Sequence, residues 1–278
     1  MLIVTHFSPD LDAVTSVWLI KRYMPGWEKA NVGFVPAGET WNNQPVDTDP
    51  DIIHVDTGLG KFDHHGGDED TCAARLVLDS IKQEAVSRKQ EDTLDRLVDV
   101  VNIIDHFREV YFPNPTADFY DFGLVGQLEG WKLIYDNEPE RIVELSLECL
   151  DGVYKQLQNK VWAEKLLKEE GIEFETQWGK GIGIETHNDE VIHTGQKIGY
   201  VMVVRKDGKK GYVRIKSLPD QKFDLSDIYI KLKKTDTDAT WFLHSSKHMI
   251  LNGSTKNPKM RPTSLSLREI IDIIRINK

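Results

Sequence analysis

Short apolar runs alternate with helical patterns over the first hundred residues, and this alternation strongly limits the folds open to the chain. Leu2–Thr5 is a run of β-forming residues, and residues 14–23 carry a broad apolar helical face with Asp10 placed as its N-cap. Val32–Val35 and Asp51–Asp56 have the composition of further strands. Alternating strands and helices predict a parallel sheet with helices on both faces, so the fold class is α/β.

The pattern changes after a long helical segment, Pro139–Glu170, which ends at Gly171. Beyond it, short β-forming runs follow one another closely, separated by turn signals such as Lys206–Lys209. We therefore predict an N-terminal α/β domain over residues 1–170 and a smaller mixed α/β domain over residues 171–278. Lys61–Asp63 is predicted to be a further short strand of the first domain.

The composition is that of a globular protein, with 40% hydrophobic and 29% charged residues among 278. No apolar run approaches the ~20 residues that span a bilayer, and the first residues do not resemble a signal peptide. Cys72 and Cys149 are the two cysteines, which excludes a disulfide scaffold and a cysteine-based zinc site. We expect a cytoplasmic protein that does not enter a membrane.

Charge is unevenly distributed along the chain. Residues 201–278 hold 17 of the 35 Lys and Arg residues but only 8 of the 45 Asp and Glu residues. An acidic front part suits divalent cations and a basic rear part suits anions, although two differently solvated surfaces without ligands would give the same pattern. The net charge of −10 disfavours long duplex DNA as a partner, because that binding depends on many basic contacts to phosphates.

Acids and histidines recur at the predicted ends of strands and helices. The segments are His6–Asp12, Val55–Gly58, Phe62–Gly67 and Ile104–His106. Taken singly, each has a simpler explanation, such as a helix cap, a turn, a surface histidine or an ion pair with Arg108. Taken together, so many carboxylates are costly to cluster unless cations neutralise them. Mixed histidine and carboxylate ligands suit manganese, iron, cobalt or zinc better than magnesium.

The order and spacing of these segments resemble the DHH phosphoesterase superfamily. The first motif is His-x-x-x-Asp-x-Asp-x-x-x-Ser, from His6 to Ser16, and the second is Val-Asp-x-Gly, from Val55 to Gly58. The third is Asp-His-His, from Asp63 to His65, and Asp105 falls where the family has its fourth motif aspartate. The resemblance is specific over residues 1–110 and looser beyond them.

The resemblance implies a dinuclear metal site at the carboxyl edge of the sheet. Its implied ligands are His6, Asp10, Asp12, Asp56, His64 and Asp105. The first two would bind one ion, Asp56 would bridge, and the other three would bind the second ion. The implied cofactor is a pair of Mn²⁺ ions, with Mg²⁺, Co²⁺ or Fe²⁺ as alternatives.

Three residues of these motifs are implied to act in catalysis. Asp56 would bridge the two ions. His65 would face the substrate, where it contacts the phosphate or protonates the leaving oxygen. Asp63 would orient a ligand histidine by contacting the ring nitrogen that does not bind metal. Metal-ligating histidines usually have such a partner.

The rear segment resembles the substrate-binding domain of the family only in part. Tyr212–Ser217 is similar to a family strand that carries Arg and Ser, but the loop that follows lacks the glycine run of the family. The predicted substrate-binding residues are Arg214, His244, Lys247, Asn252, Gly253, Ser254 and Lys256. A solvated basic rim is the alternative for the lysines.

The resemblance favours hydrolysis of phosphodiester or phosphomonoester bonds in short nucleotides or single-stranded oligonucleotides, as in exonucleases and nanoRNases. An inorganic pyrophosphatase is a second interpretation, although a late Ser-Arg-Lys-Lys type cluster is missing. A non-catalytic nucleotide or metal sensor is a third. The sequence leaves homodimer formation open, as it does cleavage polarity and the choice between DNA and RNA.

Overall fold

The structure, a computed structural model, describes residues 1–67, 70–253, 257 and 259–275, with only the backbone described at 83–85 and 88–89. It contains two compact units, Met1–Gln158 and Asn159–Lys278. The division falls within the long helix Pro139–Glu170, whose bounds are those predicted. The domain bounds 1–170 and 171–278 stay a prediction.

The first unit is built on a parallel sheet. Its elements are β1 (Leu2–His6), α1 (Leu11–Tyr23), β2 (Asn31–Val35), β3 (Ile52–His54), α2 (Ala73–Ala85), α3 (Arg88–Asp105), α4 (Leu124–Ile134) and α5 (Pro139–Glu170), which continues into the second unit. The strand order is β2-β1-β3, and both neighbours run parallel to β1. The predicted α/β class is confirmed.

The central positions of β1 and α1 explain why both segments are so apolar. Ile3 and Val4 of β1 are fully buried, and α1 is buried without interruption from Leu11 to Ile20. A helix that is apolar on nearly every side belongs inside a core rather than on its surface. One core joins α1 to residues of α2, α3 and α5, with Trp18 among its largest fully buried side chains.

The predicted strand Lys61–Asp63 is wrong, because these residues form turns. The Asp63 N–H donates to the carbonyl of Gly60 at 3.1 Å, and the Lys61 N–H donates to the carboxylate of Asp47 at 2.7 Å. Local hydrogen bonds of this kind compete with a strand ladder for the same backbone groups.

The second unit contains a mixed sheet. Its elements after α5 are β4 (Ile172–Thr176), β5 (Gly179–Glu185), α6 (Glu190–Lys197), β6 (Met202–Lys206), β7 (Val213–Ser217), α7 (Ser226–Thr235), β8 (Trp241–Leu243), β9 (Met249–Asn252) and α8 (Leu267–Ile274). The strand order is β4-β5-β6-β7-β9-β8, and β5 and β6 are parallel, joined by α6. The smaller mixed α/β domain is thereby confirmed as a fold class.

Among the described residues, no helix has both the length and the apolar character that crossing a membrane requires.

Candidate metal centre

The carboxyl edge of the parallel sheet brings the first predicted ligands together. His6 is the last residue of β1, and Asp56 lies two residues beyond the end of its neighbour β3. Asp10 caps α1 as predicted, since its Oδ1 accepts the Ala13 N–H at 3.0 Å. Parallel strands end at the same edge of a sheet, and ligands of open α/β sheets bind there.

Asp12 is buried in the first turn of α1 and is held by the start of α2. Its Oδ2 accepts the Ala73 N–H at 2.6 Å, and its Oδ1 accepts the Ala74 N–H at 2.7 Å. The N-terminus of a helix favours negative charge, so this contact fixes the carboxylate in place. Each oxygen keeps a further lone pair, which leaves Asp12 able to bind a cation.

Asp56 is buried and has a left-handed backbone, with φ at +55°. Its N–H donates to the Phe62 carbonyl at 3.0 Å, which closes the loop between them. Aspartate adopts this region more readily than most residues that carry a side chain. The loop therefore places the carboxylate of Asp56 through a backbone conformation that this residue type tolerates.

The described residues contain three overlapping groups of side chains with the donor atoms and spacing that a metal ion requires. The groups are His6, Asp10 and Asp56; Asp12, His64 and Asp105; and Asp56, His64 and His65, with the ligand atoms of each within 4.8 Å of one another. All six predicted ligands lie in these groups. Asp56 belongs to the first and third groups and His64 to the second and third, and the assignment of each residue to one of two ions stays a prediction.

His64 stands at the middle of this arrangement. Its Nε2 lies 3.5 Å from Asp56 Oδ1, 3.6 Å from Asp105 Oδ2 and 3.8 Å from Asp12 Oδ2. The His6 Nε2 lies 3.2 Å from the other oxygen of Asp56. Both Asp56 Oδ1 and His64 Nε2 are buried without a hydrogen-bond partner within the described part of the chain. An ordered water or an ion would supply the partner that buried atoms of this kind usually have.

The acids of the centre repel one another. Burial and the charge of Asp56 raise the pKa of Asp12 well above its usual range and raise that of Asp10. Burial also raises the pKa of Asp105. Bound cations would remove this cost by neutralising the carboxylates, so the donor set fits a metal.

The same negative charges also raise the pKa of His6 and His64, in both cases against the effect of burial. Burial acts to lower the pKa of His6, but Asp56 and Asp10 outweigh it and the pKa is raised. Contact with Asp56, against the effect of burial, raises the pKa of His64 to about 9. In Asp56, burial is outweighed by the two imidazoles, and the pKa is lowered. Without metal, His64 therefore carries a proton at neutral pH.

Asp63 contacts His65, and not the predicted ligand histidine His64. The His65 Nδ1 donates to Asp63 Oδ1 at 2.7 Å, and the His65 backbone N–H donates to the same oxygen at 3.1 Å. The other oxygen of Asp63 accepts the Leu59 N–H at 2.7 Å. Because the side chain of His65 is exposed, Asp63 orients an imidazole that a substrate can reach.

A second polar network beside the centre was not predicted from the sequence. The ring of His106 lies 6.3 Å from that of His64, and its Nδ1 donates to the Asn102 carbonyl at 2.9 Å. Asp70 lies 3.7 Å from His106 Nε2 and pairs with Arg108 at 2.8 Å. Arg108 therefore pairs with Asp70, and not with Asp105 as the simpler interpretation of that residue supposed.

Lys132 of α4 is a cation near the centre that the motifs do not reveal. Burial has the largest effect on the pKa of both Asp10 and His6, and among the smaller effects the charge of Lys132 lowers both. Lys132 is therefore within electrostatic range of the first group of ligands. It also pairs with Glu129 at 2.9 Å. Its sequence position, far from every motif, gives no signal of this role.

Asn252, a predicted substrate-binding residue, is fully occupied within the fold. Its Nδ2 donates to the carbonyls of Thr240 and Arg261 at 3.0 and 3.1 Å, and its Oδ1 accepts the Thr263 N–H at 2.7 Å. The side chain is buried. These bonds tie Asn252 to residue 240 and to the segment 261–263 and explain the side chain without a ligand, so its substrate role stays a prediction.

Gly253 is likewise required by packing. Its φ is +78°, and a Cβ there would lie 2.0 Å from the ring of Tyr212. A residue with a side chain would have to displace that ring, so the glycine is explained without a ligand.

Of the remaining predicted substrate residues that the structure describes, two form ion pairs and one lies in a turn. Arg214 of β7 pairs with Asp189, while Lys247 pairs with Asp224 at 2.9 Å. The His244 Nδ1 lies 2.9 Å from the Ser246 hydroxyl in the turn between β8 and β9. Their substrate role stays a prediction. Ser254 and Lys256 lie outside the described residues.

Comparisons with known proteins do not assign a family. No protein-family model matches the chain, and no curated protein matches it. Among solved structures, it is similar to the DHH domain of a member of a family of ribosomal proteins. The sequence identity is 12%, the match covers 98% of this chain and 85% of that chain, and the TM-score is 0.33. A TM-score this low does not support a shared function. The function is therefore inferred from the residues of the centre.

Proposed function

We propose that this protein is a two-metal phosphoesterase of the DHH type, acting on short nucleotides or single-stranded oligonucleotides. The observation that carries the proposal is the convergence of the three ligand groups around Asp56 and His64. The four motifs that supply these groups span residues 6–105, and each contributes donor atoms that the family resemblance implies. Chance clustering of buried acids does not account for that agreement.

The residues fit two divalent cations. His6 and Asp10 would hold one, Asp12, His64 and Asp105 the other, with Asp56 between them. Two such ions, when bound, supply Lewis-acid stabilisation of phosphoryl oxygens and activate water for in-line attack. Mn²⁺ suits the mixed imidazole and carboxylate donors.

The chain itself supplies substrate contacts beside the ions. His65 is exposed and held by Asp63, so its imidazole is positioned to contact the phosphate or to protonate the leaving oxygen. Its fixed orientation lowers the entropy lost when a substrate binds. Lys132 adds a positive charge that favours an anionic substrate near His6 and Asp10.

The decisive variant is Asp56→Asn. Asn has nearly the same shape and tolerates the left-handed backbone of this position, so the change removes the charge with little effect on the fold. We expect the wild-type protein to bind two Mn²⁺ per chain and to hydrolyse bis-p-nitrophenyl phosphate and a dinucleotide. The variant should lose at least one ion and about 100-fold or more of the activity. Isothermal titration and steady-state kinetics measure these quantities.

Asp136→Asn is the matched control, since Asp136 is exposed and belongs to none of the ligand groups. It should leave metal binding and turnover unchanged. Full activity of Asp56→Asn with both ions bound would exclude the bridging role. Preference for pyrophosphate over every ester would favour the pyrophosphatase alternative, and metal binding without turnover of any substrate would favour a sensor.

A further inference from the structure

Large exposed apolar side chains lie within three residues, in sequence, of three candidate ligands. Phe7 follows His6 and is 56% exposed, Leu59 lies three residues after Asp56 and is 64% exposed, and Phe107 lies two residues after Asp105 and is 76% exposed. Isolated exposed apolar residues are common and need no explanation. These three differ because each adjoins a ligand that comes from a different element.

Two of the three have a backbone conformation that large side chains avoid. The φ of Leu59 is +55° and that of Phe107 is +56°. For residues other than Gly, Asn and Asp this region is rare, and such outliers cluster at ligand clamps and active sites. A glycine or asparagine would relieve the strain at either position, but the chain has a large apolar residue at both.

Contacts in the structure hold both residues in these conformations. The Leu59 N–H donates to Asp63, the residue that also orients His65, and the Leu59 side chain lies against Gly66, where a Cβ would be 3.7 Å away. The Phe107 N–H donates to the Ile104 carbonyl at 2.9 Å, at the turn that ends α3. Leu59 thus packs against the loop that carries His64 and His65, and Phe107 is fixed to the end of the helix that carries Asp105.

We propose that Leu59, Phe107 and Phe7 form an apolar rim that binds a nucleobase of the substrate while its phosphate lies at the metal centre. The inference rests on the proposed function and assigns the residues that would recognise the base of its substrate, a flat and largely apolar ring. Such a ring can stack on a phenyl face and pack against a leucine, whereas pyrophosphate offers nothing to either. The phosphate of a nucleotide would thus bind at the metal centre and its base would pack against the apolar rim.

The test compares two substrates that differ only in the base. One is a dinucleotide and the other is the same molecule with an abasic sugar in place of one base. We expect the double variant Leu59→Ala and Phe107→Ala to raise the KM for the dinucleotide about tenfold, the scale of one lost base stack. The kcat should change by less than about twofold, because stacking acts equally on ground state and transition state. The KM for the abasic analogue should stay the same.

Val100→Ala is the control, since Val100 is another exposed apolar residue of α3, five positions before Asp105. It should leave both KM values unchanged. An equal rise in KM for both substrates in the double variant, or no rise for either, would overturn the rim. A change from dimer to monomer in sedimentation, without any change in base dependence, would assign these side chains to a subunit interface instead.

Failure of the proposed function is distinguishable from failure of the rim. If the wild-type protein hydrolyses no phosphoester, isothermal titration with the dinucleotide and its abasic analogue in Mn²⁺ still measures the base contribution to binding. A preference for the dinucleotide that the double variant loses would support the rim without catalysis. Equal affinity for both ligands in the wild-type protein would overturn it.

Discussion

At the scale of one residue, His64 shows how the carboxylates of the centre change the pKa of a neighbouring imidazole. Its Nε2 faces three carboxylates, and contact with Asp56 raises its pKa to about 9. In an unfolded chain the value is about 6.5. The folded, metal-free protein therefore holds a proton at His64 that the unfolded chain releases at lower pH.

This difference predicts a pH dependence of stability for the metal-free protein. Because the pKa of His64 is higher in the folded than in the unfolded chain, its protonation stabilises the folded state. This contribution is complete below pH ~6.5 and is lost as the pH rises through about 9. The free energy of unfolding, measured by urea titration after chelation, should fall across that range. His64→Gln should flatten the fall, while His187→Gln, a change in a polar loop of the other unit, should not. An identical slope in His64→Gln would remove His64 as the cause.

Some site residues were predictable one by one, and others were not. The six candidate ligands and the Asp10 cap follow from short motifs next to predicted strands and helices, because such ends determine where side chains meet. The partner of Asp63 could not be predicted, since the choice between His64 and His65 depends on how one loop turns. The helix start that holds Asp12 lies about sixty residues away in sequence and has no motif of its own.

At the scale of elements, a long helix or strand is easier to predict from the sequence than a short one. The bounds of α5 agree with the prediction because a 32-residue helix repeats its apolar pattern many times. The eight residues of α6 are too few for an apolar pattern to repeat, so the local sequence gives little sign of this helix. Gly195, which disfavours a helix, is tolerated there because a Cβ would lie 2.8 Å from the side chain of Val203. Tertiary packing, invisible in the local sequence, overrides the propensity.

Asn252, the last residue of the four-residue strand β9, gives the next prediction. Asn252→Ala would leave two carbonyls and one N–H without their partner in a buried setting. We expect a loss of about 3 kcal/mol in the free energy of unfolding of the second unit. Urea unfolding of the full chain measures it.

The same variant separates a structural role from a substrate role. At temperatures where Asn252→Ala remains folded, its KM for a dinucleotide should equal that of the wild-type protein. A raised KM with unchanged stability would mean that Asn252 contacts the substrate. Thr240→Ala is not a suitable control, because its backbone carbonyl still accepts from Asn252, so an exposed position such as Asp238→Asn serves instead.

At the scale of the whole molecule, the chain separates an acidic part from a basic part. All six candidate ligands lie in the unit Met1–Gln158, while the excess of lysine and arginine lies in residues 201–278 of the other unit. The sequence predicted this division of charge, and the structure assigns each part its own sheet and its own core. Each unit can therefore respond separately to a ligand that binds only one of them.

Metal binding should stabilise the first unit selectively. A ligand that binds only the folded state stabilises it by about 2.7 kcal/mol at a hundredfold excess over Kd. Hydrogen exchange read by mass spectrometry should therefore show slower exchange in residues 1–158 on adding Mn²⁺, with the largest change at the starts of α1 and α2. Strands β4 to β9 should keep their rates. Equal protection of both units would mean that they open as one cooperative body, and protection confined to the second unit would place the metal outside the Asp56 centre.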